Sequence, residues 1–221
     1  MSTDLDALLD VTTRALIDEF DGVIGPEAVG RCLRDSYVAL HRTAFANPEL
    51  PELARRFATD RLTALAQQTG RLRKAAPEVL FICIHNAGRS QMAAALMDAH
   101  AQGTVRVHSA GSKPDPAPSA SAATVLAELG VSMAGAYPKP ITDDVLRAVD
   151  VVVIAGGREA VPVVTGPRYD IWDLPHPAGD DLAGVRLVRD EINLRVQALL
   201  TELTKGSPLT ELAQSSQVTE G

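Results

Sequence analysis

The sequence of 221 residues predicts an α/β protein in which an N-terminal three-helix bundle precedes a four-stranded parallel sheet with helices on both faces. Apolar side chains in about the first 70 residues recur only at helical spacing, whereas from Val79 onward short apolar runs alternate with helical segments. Because crossover helices connect parallel strands and cover both faces of their sheet, the alternation indicates a doubly wound domain. We expect domains at 1–74 and 75–203, and a polar, disordered tail at 204–221.

Three helices account for the first part. Apolar residues at helical spacing predict a helix at 5–20, which Asp21-Gly22 ends. Pro26 suits the first position of a second helix, which runs to about residue 46. A third apolar stripe predicts a helix at 50–65.

Four strands and four helices are predicted in the second part. The strands are expected at 79–83, 104–108, 151–155 and 168–174. The helices are expected at 90–101, in a segment that ends at Gly130, at 143–149 and at 185–203.

Composition excludes several classes of function. With 21 basic and 28 acidic residues, the net charge of −7 disfavours binding to nucleic acid or to anionic membranes. No apolar run approaches the roughly 18 residues of a membrane span, and the first residues are acidic where a targeting signal would be basic. The sequence therefore predicts a cytoplasmic protein. Its two cysteines, Cys32 and Cys83, provide neither a disulfide framework nor the spacing of a metal site.

The stretch 83–90, Cys-Ile-His-Asn-Ala-Gly-Arg-Ser, falls where a buried strand is predicted to turn into a helix. Backbone amides of such a loop, together with the positive end of the helix, stabilise an oxyanion. Arg89 adds a two-pronged donor, and the same field favours a nucleophilic thiolate at Cys83. Asn86 and Gly88 tolerate the left-handed backbone angles that a tight cradle demands.

Ser90, at the predicted start of the helix, either donates to the thiolate or caps the helix. The alternative interpretation of the whole stretch is a buried cysteine at the end of a strand, followed by an ordinary turn. The position between strand and helix, with Asn, Gly, Arg and Ser where a cradle needs them, favours the functional interpretation.

Together with Gln91-Met92-Ala93, this stretch resembles the phosphate loop of the low-molecular-weight tyrosine phosphatase superfamily, in the form carried by the related arsenate reductases. The resemblance covers roughly residues 78–203. Further matching segments are Ser109-Ala110-Gly111 and the stretches 150–154, 172–179 and 188–192.

The resemblance implies a role for each loop residue. Cys83 would attack the oxyanion, and Arg89 would hold it together with the loop residues Ile84, His85, Asn86, Ala87 and Gly88. An Asp-Pro loop supplies the general acid in that family, but this chain has His176 before the proline. His176 is either a replacement acid or a loop residue without a catalytic role, and Asp173 is a second candidate acid. His85 replaces a loop glycine and is expected to line the mouth of the site.

Two departures from the phosphatases favour arsenate over phosphotyrosine. Gly88 stands where they commonly have a second cysteine, and Ala178-Gly179 stands where they have paired tyrosines. An aryl ring would then find only Trp172 as a stacking partner.

A third departure concerns the reductant. Thioredoxin-linked reductases carry two further cysteines after the third strand, and residues 155–161 have none. The resemblance therefore implies release of the product by an external small thiol such as mycothiol with its redoxin, without a bound cofactor or metal. Cys32 is expected to be a small core residue.

The sequence thus predicts an enzyme, an arsenate reductase that acts as an arsenate–thiol transferase through Cys83. One alternative is a tyrosine phosphatase with a cysteinyl-phosphate intermediate. Another is an oxyanion-binding module that has lost catalysis. A homodimer is left open as the oligomeric state.

Overall fold

A computed structural model describes residues 3–44, 47–156, 161–175 and 181–205. The first part consists of α1 (Thr3–Glu19), α2 (Pro26–Ala44) and α3 (Leu50–Gln68), so the three predicted helices are confirmed. Their apolar stripes meet in a core that includes Leu16, Leu33 and Phe57. None of the described helices is long and apolar enough to cross a membrane.

The second part is a parallel sheet with interleaved helices, as predicted. Its elements are β1 (Glu78–Cys83), α4 (Arg89–Ala101), β2 (Arg106–Gly111), α5 (Ala120–Ala127), α6 (Asp143–Ala148), β3 (Val151–Ala155), β4 (Arg168–Trp172) and α7 (Leu182–Thr204). The four strands lie in the order β2-β1-β3-β4, and every neighbouring pair is parallel.

Two layers of helices cover the sheet. Val79 and Phe81 of β1 face a core formed with α4, α5 and α7, whereas Leu80 and Ile82 face the other side. On that other side α6 is joined by α3 of the bundle, whose Ala64 belongs to the same apolar cluster. The bundle therefore covers part of the sheet.

Polar contacts fix α3 against the sheet domain. Arg61 donates to Asp144 at 2.8 Å, and Gln67 donates to the buried carboxylate of Glu78 at 2.6 Å. Burial alone would raise the pKa of Glu78, but hydrogen bonds from His108 and Gln67 outweigh it and hold the pKa below its ordinary value. The division at residues 74 and 75 stays a prediction, and these contacts cross it.

Several boundaries differ from the sequence prediction. Strand β2 lies at Arg106–Gly111 rather than at 104–108, because Thr104 still hydrogen-bonds to Ala101 and prolongs the turn after α4. Helix α7 begins three residues early, because the Asp181 side chain caps it by accepting from the backbone N–H groups of Ala183 and Gly184. Strand β4 ends at Trp172, two residues early. The predicted disordered tail lies outside the described residues from 206 onward.

The connections create a crevice at the carboxyl end of β1. The chain leaves β1 for β2 on one side and later enters β3 on the other side. Open α/β sheets bind ligands where the strand order reverses in this way. Cys83 is the last residue of β1 and lies at this point.

Candidate active site

The loop from Cys83 to Ser90, here called the phosphate loop, surrounds the Cys83 sulfur with hydrogen-bond donors. The backbone N–H of Asn86 points at Cys83 Sγ with an N···S distance of 3.2 Å, and Ser90 Oγ lies 2.9 Å from the same sulfur. Ser90 Oγ also accepts from the side-chain amide of Asn86 at 2.9 Å, which leaves its own proton for the sulfur. Two donors thus converge on the Cys83 sulfur at the amino end of α4.

Outward-turned carbonyls orient the loop amides inward. The carbonyls of Cys83, Ile84, His85 and Ala87 accept hydrogen bonds from backbone N–H groups of the segment 112–119. Across a trans peptide the next N–H points the opposite way, so the amides that follow these carbonyls are turned away from that segment. The N–H of Asn86, which follows His85, does point at the sulfur. The loop therefore has the donor arrangement of an oxyanion cradle.

Asn86 is the buried centre of the loop. Its φ of +48° is left-handed, as predicted, and its side-chain carbonyl accepts from the backbone N–H of Lys139 at 2.9 Å. Gln91 donates to the Asn86 backbone carbonyl at 3.1 Å and to the Tyr137 carbonyl at 2.9 Å. Gly88 was expected to tolerate a left-handed angle but does not adopt one: its φ is −111°, and it directly precedes α4 as its N-cap.

Arg89 begins α4 and reaches across the site. Its guanidinium donates to the carbonyl of Leu174 at 3.3 Å and makes no ion pair with any described carboxylate. Space for it depends on Gly156, since a Cβ at that residue would lie 1.9 Å from Arg89 Nη1. The cation is thus available to an anion, and it touches the loop that follows β4.

A cavity of about 260 Å³ opens over the sulfur. Its described lining consists of Cys83, His85, Ala87, Gly88, Arg89, Met92, Asp115, Ser119, Ser121, Ala122 and Val185. His85 is about half exposed at the mouth, with its Nδ1 3.8 Å from the Asp115 carboxylate, which agrees with the expected lining position.

Trp172 is not at this cavity. Its side chain is buried in the core, with its ring centroid 5.6 Å from that of Phe81, and it is absent from the described lining. The prediction that Trp172 stacks on substrate is therefore corrected: β4 ends there with the ring turned into the sheet's core.

The structure describes one of the two candidate general acids. Asp173 is exposed, one residue before the carbonyl that receives Arg89. His176 lies outside the described residues, so its role as general acid stays a prediction. Among the residues that the structure describes, no cluster of side chains could hold a metal ion.

Sequence reasoning missed the glycine that lets two strand ends approach each other. A Cβ at Gly111 would lie 2.6 Å from the carbonyl oxygen of Ile84 and 2.8 Å from the nitrogen of Asn86. Gly111 belongs to the matching segment Ser109-Ala110-Gly111, but its position beside the loop at the end of β2 depends on the tertiary structure. The support of Asn86 by Gln91 and by residues 137–139 was missed for the same reason.

Comparison with known families agrees with this geometry. A family model described as low molecular weight phosphotyrosine protein phosphatase matches residues 78–209. A second, described as protein-tyrosine-phosphatase-like, N-terminal domain, matches residues 9–66. The chain belongs to the low molecular weight phosphotyrosine protein phosphatase family, which confirms the resemblance found in the sequence.

Several similar proteins are arsenate reductases by name. The structure of a thioredoxin-dependent arsenate reductase of Corynebacterium glutamicum is 37% identical with a TM-score of 0.83, covering 94% of this chain and all of that one. A structure described as an arsenate reductase in the phosphate binding state is 28% identical with a TM-score of 0.54, covering 57% of this chain and 98% of that one. The glutaredoxin arsenate reductase of Synechocystis is 29% identical, over 58% of this chain and 98% of its own length.

Proposed function

We propose that this protein is an arsenate reductase in which the Cys83 thiolate attacks arsenate held by Arg89 and the amides of the phosphate loop. The observation that carries the proposal is the sulfur of Cys83, which receives Ser90 Oγ at 2.9 Å and the N–H of Asn86 at 3.2 Å beside a guanidinium without a described carboxylate partner. A thiolate nucleophile, an anion cradle and a free cation are the parts that attack on an oxyanion requires.

The first step exchanges an oxygen for sulfur on arsenic. The thiolate forms an S–As bond, one As–O bond breaks, and the departing oxygen takes up protons and leaves as water. Arg89 and the inward amides neutralise charge on the remaining oxygens throughout. The acid would come from the loop after β4, with His176 and Asp173 as candidates, because the neighbouring Leu174 carbonyl already touches Arg89.

The cavity over Cys83 has room for an aryl phosphate as well as for a small oxyanion, but its described lining offers a ring little to stack on. It measures about 260 Å³, and His85 supplies the one aromatic ring in its described lining. Phosphate and arsenate are near isosteres, so the cradle alone discriminates poorly between them. Support for arsenate comes from the sequence, in which Ala178-Gly179 stands where the phosphatases have paired tyrosines.

The reducing thiol would come from another molecule. Cys32, the second cysteine of the sequence, lies in the bundle with its Sγ 3.8 Å from the carbonyl oxygen of Ala58. Burial raises the pKa of Cys32, which opposes formation of a thiolate. Cys32 also does not line the cavity over Cys83. Resolution of the Cys83–arsenic adduct is accordingly assigned to an external thiol.

Two routes balance the electrons. A redoxin thiolate could attack the Cys83 sulfur, so that an S–S bond forms, the S–As electron pair stays on arsenic, and arsenite leaves. The redoxin's second thiol then restores Cys83. Alternatively, a small thiol such as mycothiol attacks arsenic, displaces the Cys83 thiolate and carries arsenic away for reduction by a redoxin. The 37% identity with a thioredoxin-dependent reductase across both parts of the chain favours the first route.

A parallel assay tests the proposal. Arsenite formation would be measured with thioredoxin, thioredoxin reductase and NADPH, and separately with mycothiol and its redoxin, alongside hydrolysis of an aryl phosphate. We expect arsenite in at least one arsenate arm and slow aryl phosphate hydrolysis. Rapid hydrolysis without arsenite would identify a phosphatase. Binding of arsenate with no turnover in any arm would identify an oxyanion-binding module.

A further inference from the structure

A second cavity, of about 440 Å³, lies between α3 of the bundle and the β2 edge of the sheet. Its walls come from α3, α4, β2 and the segment 132–139, and none of its described lining residues belongs to the cavity over Cys83. This space is here called the interdomain cavity.

Two cations of the interdomain cavity lie against one ring without a counterion. The Lys139 ammonium is 4.2 Å from the centroid of the Tyr137 ring, and the Arg56 guanidinium carbon is 4.9 Å from it. Neither makes an ion pair with a carboxylate in the described part of the chain. By contrast, Arg55 on the same wall is bonded to Glu52 through two nitrogens.

The arrangement is electrostatically costly in the empty cavity. Burial lowers the pKa of Lys139, Asp60 partly opposes the change and the Arg56 charge adds to it, so that the pKa falls from 10.5 to about 8. Asp60 itself accepts a hydrogen bond from Arg106 at 3.4 Å. The other acidic residue of the wall, Asp98, is exposed. Two like charges at one ring repel each other, and an anion between them would relieve the repulsion.

Unused hydroxyls occur at the same walls. The Tyr137 hydroxyl and the Thr59 hydroxyl are both buried and have no hydrogen-bond partner among the described residues. Tyr137 as a whole is only 6% exposed. Because buried polar groups are nearly always hydrogen-bonded, two unpartnered hydroxyls beside one cavity are unusual in a packed interface.

We propose that the interdomain cavity binds a small anion that carries a phosphate or carboxylate group, with the Arg56 guanidinium and the Lys139 ammonium as its principal ligands. Arginine supplies a planar fork and lysine a point charge, a combination suited to either group. The volume admits a small metabolite-sized molecule. The site is separate from the phosphate loop, although the backbone N–H of Lys139 donates to Asn86 of that loop.

Calorimetric titration tests the site with two probes, inorganic phosphate and malonate. The full-length Arg89→Ala variant serves as background, because it removes the loop cation that would also bind phosphate. We expect at least one probe to bind this variant, and added Lys139→Met or Arg56→Gln to weaken that binding by roughly 10-fold or more. Added Arg55→Gln is the matched control and should leave affinity unchanged, since Arg55 is already bonded to Glu52.

The two probes distinguish the source of the anion. Binding of phosphate alone assigns a phosphate-type ligand, binding of malonate alone assigns a carboxylate, and binding of both supports the shared chemistry. If neither probe binds, the proposal is overturned. It is equally overturned if Lys139→Met and Arg56→Gln leave the affinity unchanged.

A second measurement does not depend on the Arg89→Ala background. The sequence has four lysines, so reductive methylation with a carbon-13 label gives few side-chain signals, and Lys139→Arg assigns the one from Lys139. Malonate bound beside the ammonium should raise the pKa of Lys139 from about 8 toward its ordinary value. The same rise is expected with phosphate if phosphate is the probe that binds, and a Lys139 titration curve that neither probe moves at saturation would contradict the site.

Discussion

The phosphate loop and the interdomain cavity each present cations without described carboxylate partners, but they are built differently. The phosphate loop takes its parts from eight consecutive residues and would hold an anion with its backbone amides and Arg89. The interdomain cavity uses side chains from α3, α4, β2 and the segment 132–139, which are distant in sequence. A site made of consecutive backbone can be read as a motif, whereas a site made by packing separate segments has no signature in the sequence.

The largest effect is expected at the Cys83 sulfur, which only the phosphate loop has. Cys83→Ser should reduce arsenate turnover by at least about 1,000-fold, because serine is a far weaker nucleophile at neutral pH. Arsenate binding should persist, since Arg89 and the loop amides remain. Arsenite production and calorimetry measure the two effects. Cys32→Ser is the control and should retain nearly full activity, because Cys32 lies in the bundle core; substantial turnover by the Cys83→Ser variant would contradict the mechanism.

The next largest effect is expected at Gly111 of β2, which lies against the phosphate loop. Gly111→Ala places a Cβ within 2.6 Å of the Ile84 carbonyl oxygen and 2.8 Å of the Asn86 nitrogen, so the loop must shift. We expect a loss of about 3 kcal/mol in the free energy of unfolding, the upper end for overpacking, together with reduced kcat/KM. Urea denaturation and steady-state assays measure both.

A matched glycine substitution controls for that result. Gly25→Ala adds the same methyl group where nothing lies within 4 Å. It should change stability far less and leave kcat/KM unaltered. Equal effects of the two substitutions would show that the approach of β2 to the loop is not a constraint.

The sequence predicted the part of the structure that depends on local pattern. Consecutive residues place Cys83, Asn86, Arg89 and Ser90 around one point, and those positions follow from a strand that turns into a helix. The packing of α3 on the sheet was not predictable, because Ala64 and Gln67 look like any other residues of an amphipathic helix. Neither the core position of Trp172 nor the interdomain cavity could be read locally, since both depend on which segments meet.

Ser90 tests whether side chains also matter within the phosphate loop. Ser90→Ala removes the hydroxyl at 2.9 Å from Cys83 Sγ but leaves the N–H of Asn86 in place. A hydrogen bond to a charged group contributes about 1.5–3 kcal/mol, so turnover and alkylation by iodoacetamide at neutral pH should both fall roughly 10- to 100-fold. Ser121→Ala, in the same cavity, should leave both near the parent's values, because its hydroxyl bonds only to Ser119 among the described contacts. Similar rates for all three proteins would remove Ser90 from the mechanism.

The smallest expected effect is the electrostatic cost of Lys139 to the free energy of unfolding, which is a property of the interdomain cavity. The pKa of Lys139 is lowered from 10.5 in the unfolded chain to about 8 in the folded protein, so between these values the folded protein binds fewer protons than the unfolded chain. The free energy of unfolding of the parent should therefore rise as pH increases from about 8 to 10.5, and the penalty should be fully present at pH 7.

Lys139→Met removes the penalty and should stabilise the protein at pH 7 by about 1–2 kcal/mol, a value discounted for partial exposure of the side chain. The gain should shrink as pH rises from about 8 and vanish above 10.5, where the parent's lysine becomes neutral in both states. Urea denaturation in phosphate-free buffer across this range gives the difference curve, and Lys113→Met, at an exposed position, is the control and should show none. Parallel curves for the parent and Lys139→Met would mean that the interdomain cavity holds its lysine without electrostatic cost, and the reason for expecting an anion there would be lost.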